Sequence, residues 1–276
     1  MVISMTGDRK ALVVGINKYK NYPDSSLNGC VNDTKTMSSY LKEFNGFRSI
    51  DIMTLVDDRA TKANIIKELQ GMVKDARDGK IKYLAFTMSS HGTQMPDTSG
   101  DEPDRVDEAF CPHDLAELDG NWDPKHVIVD DELHDLFVQL PKEVMLEVYL
   151  DTCHSGTGLK VMDLAPGRKI KYIPPPSIEA FKQAIEAEKA GKGKVSRRKA
   201  IKANHALWSA CKANQTSADA LINGKYNGAF TYYVYADVKA TDNSLKPKAL
   251  LAKIQADIKA NDFDQVPEYD SNATTR

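Results

Sequence analysis

The sequence lacks the features of several common protein classes. It has 37 basic and 39 acidic residues, and the formal net charge of −2 argues against a general affinity for nucleic acids or acidic membranes. No apolar run approaches the roughly 20 residues of a membrane span, and the N-terminal residues lack the basic-then-apolar order of a signal peptide. We therefore expect a soluble, cytoplasmic protein with no nucleic-acid or membrane partner.

Cysteine is also scarce. The four cysteines, Cys30, Cys111, Cys153 and Cys211, show no CxxC spacing, so neither a disulfide framework nor a zinc site is indicated. Reduced thiols in a cytosol-like compartment are the simpler interpretation.

The chain is, by contrast, rich in hydrophobic residues. Hydrophobic residues make up 41% of its 276 residues, enough for the core of one large domain or two small ones.

Predicted strands and helices alternate along the first half of the chain, which is typical of a mostly parallel sheet with helices on both faces. Apolar runs predict strands at 11–16, 50–56, 82–88, 144–150 and 206–210. Apolar spacings of three and four predict five helices, four of them at 32–44, 130–140, 230–239 and 247–259. We expect N-caps at Asn32 or Asp33, at Thr61 for the remaining helix, and at Asp130, and Pro247 in a first turn.

A thiol and an imidazole follow two neighbouring strands of this predicted sheet. His91 comes just after the third strand and Cys153 just after the fourth, while Asp33 follows the first strand by a longer loop. Ligands of such sheets bind beyond the carboxyl ends of the strands, so these segments should converge. An imidazole can hold a cysteine as its thiolate and then protonate a leaving amine, and the N–H groups of Gly92 and Cys153 are placed to form an oxyanion hole. Either residue alone is usually structural, but their joint placement favours catalysis.

Seven ordered motifs extend this pattern over nearly the whole chain. They are NGCVND (28–33), SSHGTQ (89–94), DEPDRVDEA (101–109), DDEL (130–133), DTCHSG (151–156), WSAC (208–211) and GAFT (228–231). On these motifs the chain resembles the metacaspases, and in particular their prokaryotic members, the orthocaspases.

The resemblance implies a caspase–haemoglobinase fold, an α/β fold with a mostly parallel central sheet flanked by helices on both faces. It implies a p20-like catalytic part at 1–165 and a p10-like part at 204–276, which together form one caspase-like domain. It also implies a monomer, and a cysteine endopeptidase that cleaves after Arg or Lys through a Cys–His dyad and a thioester acyl-enzyme. The chemistry itself needs no cofactor.

The resemblance also implies which residues recognise the substrate. Asp33 and Asp151 match the acidic residues of the S1 pocket, and Cys30 and Ser89 match other positions that line it. Two carboxylates in a partly desolvated pocket would accept a guanidinium or an ammonium group and reject an acidic side chain. The alternatives are that Asp33 only caps a helix and that Asp151 only orders a turn.

Calcium is a further expectation of the resemblance. Asp107, Asp130 and Asp131 match positions that bind an activating Ca²⁺ ion in many metacaspases, and carboxylates suit this hard cation. Lys160, however, stands where another aspartate is expected, which weakens the site. The alternative is a solvated acidic loop beside a helix N-cap.

The segment between the two parts, 166–203, is rich in proline and basic residues, and its composition indicates an exposed linker or insertion. A protease specific for Arg or Lys would be able to cut itself there. The candidate sites are Lys192, Lys194, Arg197, Arg198 and Lys199, with Arg168 and Lys169 behind them. The alternative is an ordinary solvated linker.

Two other functions remain open. The chain would be a catalytically silent caspase-like scaffold if the residues His91 and Cys153 were present but inactive. It would be a relative with another preference at the cleaved residue if Asp33 and Asp151 faced elsewhere. For the protease, the partners are peptides or proteins with Arg or Lys at the cleaved position.

Overall fold

The computed structural model describes residues 7–96, 106–153, 167–177, 200–212 and 215–272. Its strands are β1 (Arg9–Gly15), β2 (Ile52–Val56), β3 (Tyr83–Ser89), β4 (Gly92–Pro96), β5 (Val106–Phe110), β6 (Glu117–Leu118), β7 (Asn121–Trp122), β8 (Ile128–Val129), β9 (Met145–Asp151), β10 (Arg168–Ile170), β11 (Asn204–Ser209), β12 (Ala218–Ile222), β13 (Lys225–Gly228) and β14 (Glu268–Ser271). Its α-helices are α1 (Cys30–Phe44), α2 (Lys62–Arg77), α3 (Asp130–Phe137), α4 (Ala229–Ala240) and α5 (Pro247–Ala260).

The central sheet has six strands in the order β14-β11-β9-β3-β1-β2, and only the edge strand β14 is antiparallel. Alternate residues of a strand point to opposite faces, and β1 shows the consequence. Leu12 and Val14 belong to a core that packs under α2 and α3, whereas Ala11 and Val13 belong to a second core under α1, α4 and α5. The predicted class, a mostly parallel sheet with helices on both faces, is confirmed.

Helix starts follow the predictions in part. Thr61 accepts a hydrogen bond from the Asn64 N–H at 3.3 Å and caps α2, and Pro247 is the first residue of α5, both as predicted. The caps predicted at Asn32 or Asp33 and at Asp130 are wrong. The N-cap of α1 is Gly29, where a Cβ would lie 2.3 Å from Asp219 Oδ1, so only glycine fits this close approach.

The N-cap of α3 is Val129, whose N–H donates to the Glu132 carboxylate at 3.2 Å. Asp130 is therefore the first residue of this helix. The Glu132 carboxylate, three residues into the helix, thus accepts the N–H of the N-cap residue, and Asp130 does not cap the helix.

Two small antiparallel sheets that no sequence pattern indicated stand beside the carboxyl ends of the central strands. One has the order β4-β5-β8 and the other β10-β12-β13. Strand β10 lies in the segment predicted to be an exposed linker, yet Lys171, just after it, is 0% exposed. That part of the linker prediction is wrong, because β10 pairs with β12 and becomes part of the folded protein.

In the parts of the chain that the structure describes, none of the helices combines the length and the hydrophobicity needed to cross a bilayer.

Candidate active site

The register of the two central strands brings the imidazole and the thiol to one place. Ser89 and Asp151, the last residues of β3 and β9, are paired neighbours in the parallel ladder. His91 and Cys153 each lie two residues beyond this pair, so both emerge at the same edge of the sheet. The convergence predicted from the strand ends is what the backbone shows.

His91 is held as a neutral imidazole with a defined tautomer. Its backbone N–H donates to the Tyr19 hydroxyl at 2.8 Å, and its Nε2 lies 2.6 Å from the carbonyl oxygen of Ser25. A carbonyl oxygen only accepts, so Nε2 carries the proton and Nδ1 keeps a lone pair. Nδ1 is buried and has no hydrogen-bond partner among the described residues.

The charge state of His91 follows from its burial. Desolvation lowers the pKa of the imidazole to about 4, the hydrogen bond to Ser25 opposes this shift, and the positive charge of Lys171 adds to it. Near neutral pH the ring is therefore an unprotonated base.

Cys153 is fully buried, and its thiol is directed toward the segment between β11 and β12. Sγ donates to the carbonyl oxygen of Gln215 at 3.1 Å, and the thiol of Cys211 donates to the same oxygen at 3.5 Å. The hydrogen bond with Cys153, together with burial, raises the pKa of Cys211 far above its usual value. Cys211 is therefore an inert thiol beside a candidate nucleophile.

Two buried carboxylates form a pocket next to this thiol. Asp33 accepts from the Ser89 hydroxyl at 2.6 Å and from the Gly228 N–H at 2.9 and 3.0 Å. Asp151 accepts from the backbone N–H and the hydroxyl of Thr231 at 3.0 and 2.7 Å, in the first turn of α4. A helix N-terminus favours negative charge, so α4 helps to keep Asp151 ionised.

The side chain of Lys171 fills this pocket. Its Nζ lies 2.8 Å from Asp151 Oδ1 and 3.5 Å from Asp33 Oδ2, and it donates to the Ser89 hydroxyl at 2.9 Å. Asp33, which lies inside α1, is therefore a pocket residue and not a helix cap, and Asp151 does more than order a turn. Both carboxylates face one ammonium group.

The pKa values of the three charged groups reflect this arrangement. Burial raises the pKa of Asp33 to about 7, although the Lys171 ammonium opposes the shift. Burial would also raise the pKa of Asp151, but Lys171 and the hydrogen bonds from Thr231 hold it below its usual value. Burial would lower the pKa of Lys171, but the charge of Asp151 leads the effects that keep it above its usual value.

The backbone around Lys171 crosses the site as an extended strand. Its N–H donates to the Ser217 carbonyl at 3.0 Å, and its own carbonyl accepts from the Gly92 N–H at 3.0 Å. Burial raises the pKa of the next residue, Tyr172, to about 12, and the negative charge of a Cys153 thiolate would contribute to this shift. The peptide bond that follows Lys171 thus has its carbonyl oxygen on the Gly92 N–H, one of the two donors predicted for the oxyanion hole.

Sequence reasoning missed several residues of this site. Asp219 of β12 is a third buried carboxylate, which accepts from the Asn28 N–H at 2.6 Å and contributes to the raised pKa of Lys171. An acidic residue inside the apolar run of 218–222 was a signal for it. Lys171 had no local signal, because its burial depends on carboxylates from distant segments.

The other predicted pocket residues also lie here. Ser89 bridges Asp33 and Lys171, as described above. Cys30 is fully buried in the first turn of α1, where desolvation raises the pKa of its thiol and Lys171 is close enough to oppose that shift. Both residues therefore border the acidic pocket.

The candidate calcium residues are neighbours, but the described residues do not form a metal site. Asp107 lies in β5, and Asp130 and Asp131 begin α3, directly after the strand that pairs with β5. Within the described ranges, no group of three or more His, Cys, Asp or Glu side chains is arranged to hold a metal ion. Calcium activation stays a prediction.

The candidate self-cleavage residues Lys192, Lys194, Arg197, Arg198 and Lys199 lie outside the described residues, as does Lys160. The division into parts at 1–165, 166–203 and 204–276 also stays a prediction.

Fold and site together define a caspase-like α/β protein. A solved structure, Caspase-1 from Spodoptera frugiperda, has the same fold at 13% sequence identity, with a TM-score of 0.59 over 98% of this chain and 90% of that one. Protein GSU0716 from Geobacter sulfurreducens matches with a TM-score of 0.68 and 26% identity, over 98% and 95% of the two chains.

The sequence comparisons identify the family. Residues 9–163 match the model described as "Metacaspase, peptidase C14 domain". Metacaspase-1B of Aspergillus fumigatus is 34% identical over 86% of this chain and 64% of its own length. The chain belongs to the metacaspases, a family of caspase-like cysteine peptidases. It spans 54–64% of the length of the first curated relatives it matches.

Proposed function

We propose that the chain is a cysteine endopeptidase that cleaves peptide bonds after Lys or Arg, and that one of its substrates is its own Lys171–Tyr172 bond. One observation carries the proposal. Lys171 has its ammonium group between two buried carboxylates and its carbonyl oxygen on the Gly92 N–H, so it lies as the cleaved residue of a bound peptide would.

The geometry supports a dyad mechanism. The thiol of Cys153 turns from the Gln215 carbonyl to Nδ1 of His91, which takes its proton, and the thiolate attacks the Lys171 carbonyl carbon. The Gly92 N–H stabilises the negative oxygen, and the N–H of Cys153 is the second candidate donor. As the C–N bond breaks, His91 returns the proton to the new amine of Tyr172 and a thioester remains.

Water then completes the reaction. Nδ1 of His91 takes a proton from the attacking water, the C–S bond of the thioester breaks, and the proton returns to Cys153. The products are a carboxylic acid at Lys171, which releases its proton to solvent, a free amine at Tyr172 and the original thiol. No oxidant, reductant or cofactor enters the balance.

The preference for a basic residue has an electrostatic reason. An aspartate or glutamate in this pocket would bring a further negative charge next to Asp33, Asp151 and Asp219, in a site that water does not reach. A lysine or arginine instead neutralises carboxylates that are otherwise buried without a cation. We therefore propose exclusion of acidic residues as well as attraction of basic ones.

Two further properties are part of the proposal. All four cysteines are free thiols, which suits a reducing compartment such as the cytoplasm. Strand β14 lies antiparallel on β11 and covers that edge of the central sheet, which favours a monomer over pairing through this edge. Light scattering on the purified chain tests the monomer.

Mass spectrometry of the purified chain tests self-cleavage. The parent should yield one fragment that ends at Lys171 and one that begins at Tyr172. The Cys153→Ala variant should stay intact. Lys171→Arg should still be cut there, whereas Lys171→Gln should not. Lys169→Gln, two residues before Lys171, is the matched control and should be cut like the parent. Equal fragmentation of Cys153→Ala, or cleavage of Lys171→Gln at the same bond and rate, would contradict the proposal.

A fluorogenic panel with Arg, Lys, Asp or Asn at the cleaved position, run with and without Ca²⁺, tests specificity. The expected result is turnover of the Arg and Lys substrates alone. A silent scaffold would cleave none of the four, and a relative with another preference would cleave the Asp or Asn substrate.

A further inference from the structure

A second basic side chain of the segment around Lys171, that of Arg168 in β10, also has defined contacts, although it is only half-buried. Arg168, three residues before Lys171, places its guanidinium carbon 4.0 Å from the ring centre of Phe263. Its Nη1 and Nη2 donate to the carbonyl oxygens of Asp262 and Asn261 at 2.5 and 3.0 Å. One planar group thus meets an aromatic ring and two acceptors, which is how a guanidinium is recognised.

This binding surface belongs to the end of α5 and the turn that follows it. The Phe263 N–H returns to the Ile258 carbonyl at 3.2 Å, and Asp262 has a left-handed φ of 60°, so the chain turns sharply at the end of α5. Phe263 itself is buried and packs edge-on against Tyr233 of α4, with ring centres 6.3 Å apart. Carbonyls at a helix C-terminus carry partial negative charge and favour a cation.

The pairing of β10 with β12 fixes the distance between the two basic residues. Arg168 lies opposite Ala220 and Ile170 opposite Ala218 in an antiparallel ladder. The Lys171 N–H continues the ladder to the Ser217 carbonyl. Any extended peptide that pairs with β12 and places a basic residue between Asp33 and Asp151 therefore brings the residue three positions earlier to Phe263.

We propose that Phe263 and the carbonyls of Asn261 and Asp262 form a second specificity site. This site binds a substrate arginine that lies three residues before the lysine or arginine after which the peptide is cleaved. This inference rests on the proposed function, because it assumes that residues 168–171 lie in the site as a substrate peptide would. The substrate class is thereby narrowed to peptides of the form Arg-Xaa-Xaa-Lys or Arg-Xaa-Xaa-Arg.

The chemistry predicts a ranking at this position. Arginine can donate to both carbonyls while its plane lies on the ring, a lysine ammonium cannot make all three contacts at once, and alanine makes none. We expect kcat/KM to be about tenfold higher for arginine than for alanine, mainly through KM, with lysine between them.

The test uses the self-processed enzyme and three acetylated aminomethylcoumarin peptides, Arg-Ala-Ile-Lys, Lys-Ala-Ile-Lys and Ala-Ala-Ile-Lys. The ranking above supports the site. Equal kcat/KM for all three would overturn it while leaving the proposed function intact. Cleavage of none of them would overturn the proposed function, and this inference with it.

A pair of variants separates recognition from stability. Phe263→Leu should reduce the arginine-to-alanine ratio to about twofold, because an aliphatic side chain offers no ring face to the guanidinium. Phe47→Leu is the matched control. It changes a buried aromatic residue beside another guanidinium, that of Arg9, at the amino end of β1, and should keep the tenfold ratio. An unchanged ratio in Phe263→Leu would overturn the assignment of the ring.

Discussion

The burial of Lys171 has a measurable energetic consequence. In a Cys153→Ala background, where the chain stays uncleaved, Lys171→Met removes the ammonium group and leaves Asp33 and Asp151 buried together. Removing one partner of a buried ion pair destabilises a protein by about 3–5 kcal/mol. At about 2–4 °C per kcal/mol for large domains, Tm should fall by about 6–20 °C.

The size of this loss should depend on pH. In the parent, Asp33 has a pKa of about 7, and without the Lys171 charge that pKa must rise further. Above about pH 7 the carboxyl is then ionised in the parent but still protonated in the folded variant, while both unfolded chains have released the proton. A folded state that binds more protons than the unfolded state loses stability as pH rises, so the variant's deficit should be larger near pH 8.5 than near pH 6.

Differential scanning fluorimetry at these two pH values measures both effects. Lys169→Met in the same background is the control. Lys169, two residues before Lys171, is exposed and donates a hydrogen bond to the Ser26 carbonyl. Its substitution should change the free energy of unfolding by no more than about 0.5 kcal/mol. A Tm for Lys171→Met equal to that of Lys169→Met, or a deficit that shrinks with rising pH, would refute the reasoning.

Three other predictions follow from single contacts. Gly228→Ala would place a Cβ 2.1 Å from Asp151 Oδ2, so kcat/KM on lysine peptides should fall by about 100-fold, whereas a loss of less than threefold would show that the pocket adapts. Burial and the charge of Lys171 lower the pKa of His91 to about 4, and this pKa should rise when the Lys171 side chain leaves the pocket after self-cleavage. Because activity needs the neutral imidazole, the acid limb of the pH profile of kcat/KM for the processed enzyme should lie at higher pH than the acid limb of self-cleavage. Acid limbs at the same pH would contradict this. Tyr19→Phe leaves the buried His91 N–H without its acceptor and should cost about 1–3 kcal/mol in urea unfolding, so an unchanged midpoint would count against that hydrogen bond.

The central sheet was predictable because its signals are local. Buried parallel strands read as continuous apolar runs, and α2 shows its core face as Ile65, Leu69, Met72, Val73 and Ala76, all of which are buried. Strand ends then follow directly, and with them the common edge at which His91 and Cys153 emerge. Cap positions were less predictable, since Gly29 caps α1 for a tertiary reason, its close approach to Asp219.

The two small antiparallel sheets, and strand β10 in particular, could not be predicted from local signals. Strand β10 has three residues, and two of them, Arg168 and Lys169, are basic, so composition indicated a solvated linker. Its pairing with β12 joins residues about fifty positions apart in sequence, and such long-range pairing leaves no periodic signature. The same holds for Asn261, Asp262 and Phe263, which look like an ordinary helix end until Arg168 is seen against them.

The sequence by itself therefore determined the fold class, the order of the strands along the chain, and the positions of a thiol, an imidazole and one carboxylate, Asp151, at or just beyond strand ends. Only the tertiary structure decided what Asp33 and Asp151 face. Lys171 is buried because Asp33, Asp151 and Asp219 arrive from α1, β9 and β12 and together offset the cost of desolvating its charge. That balance depends on three distant segments at once, and no local pattern of residues contains it.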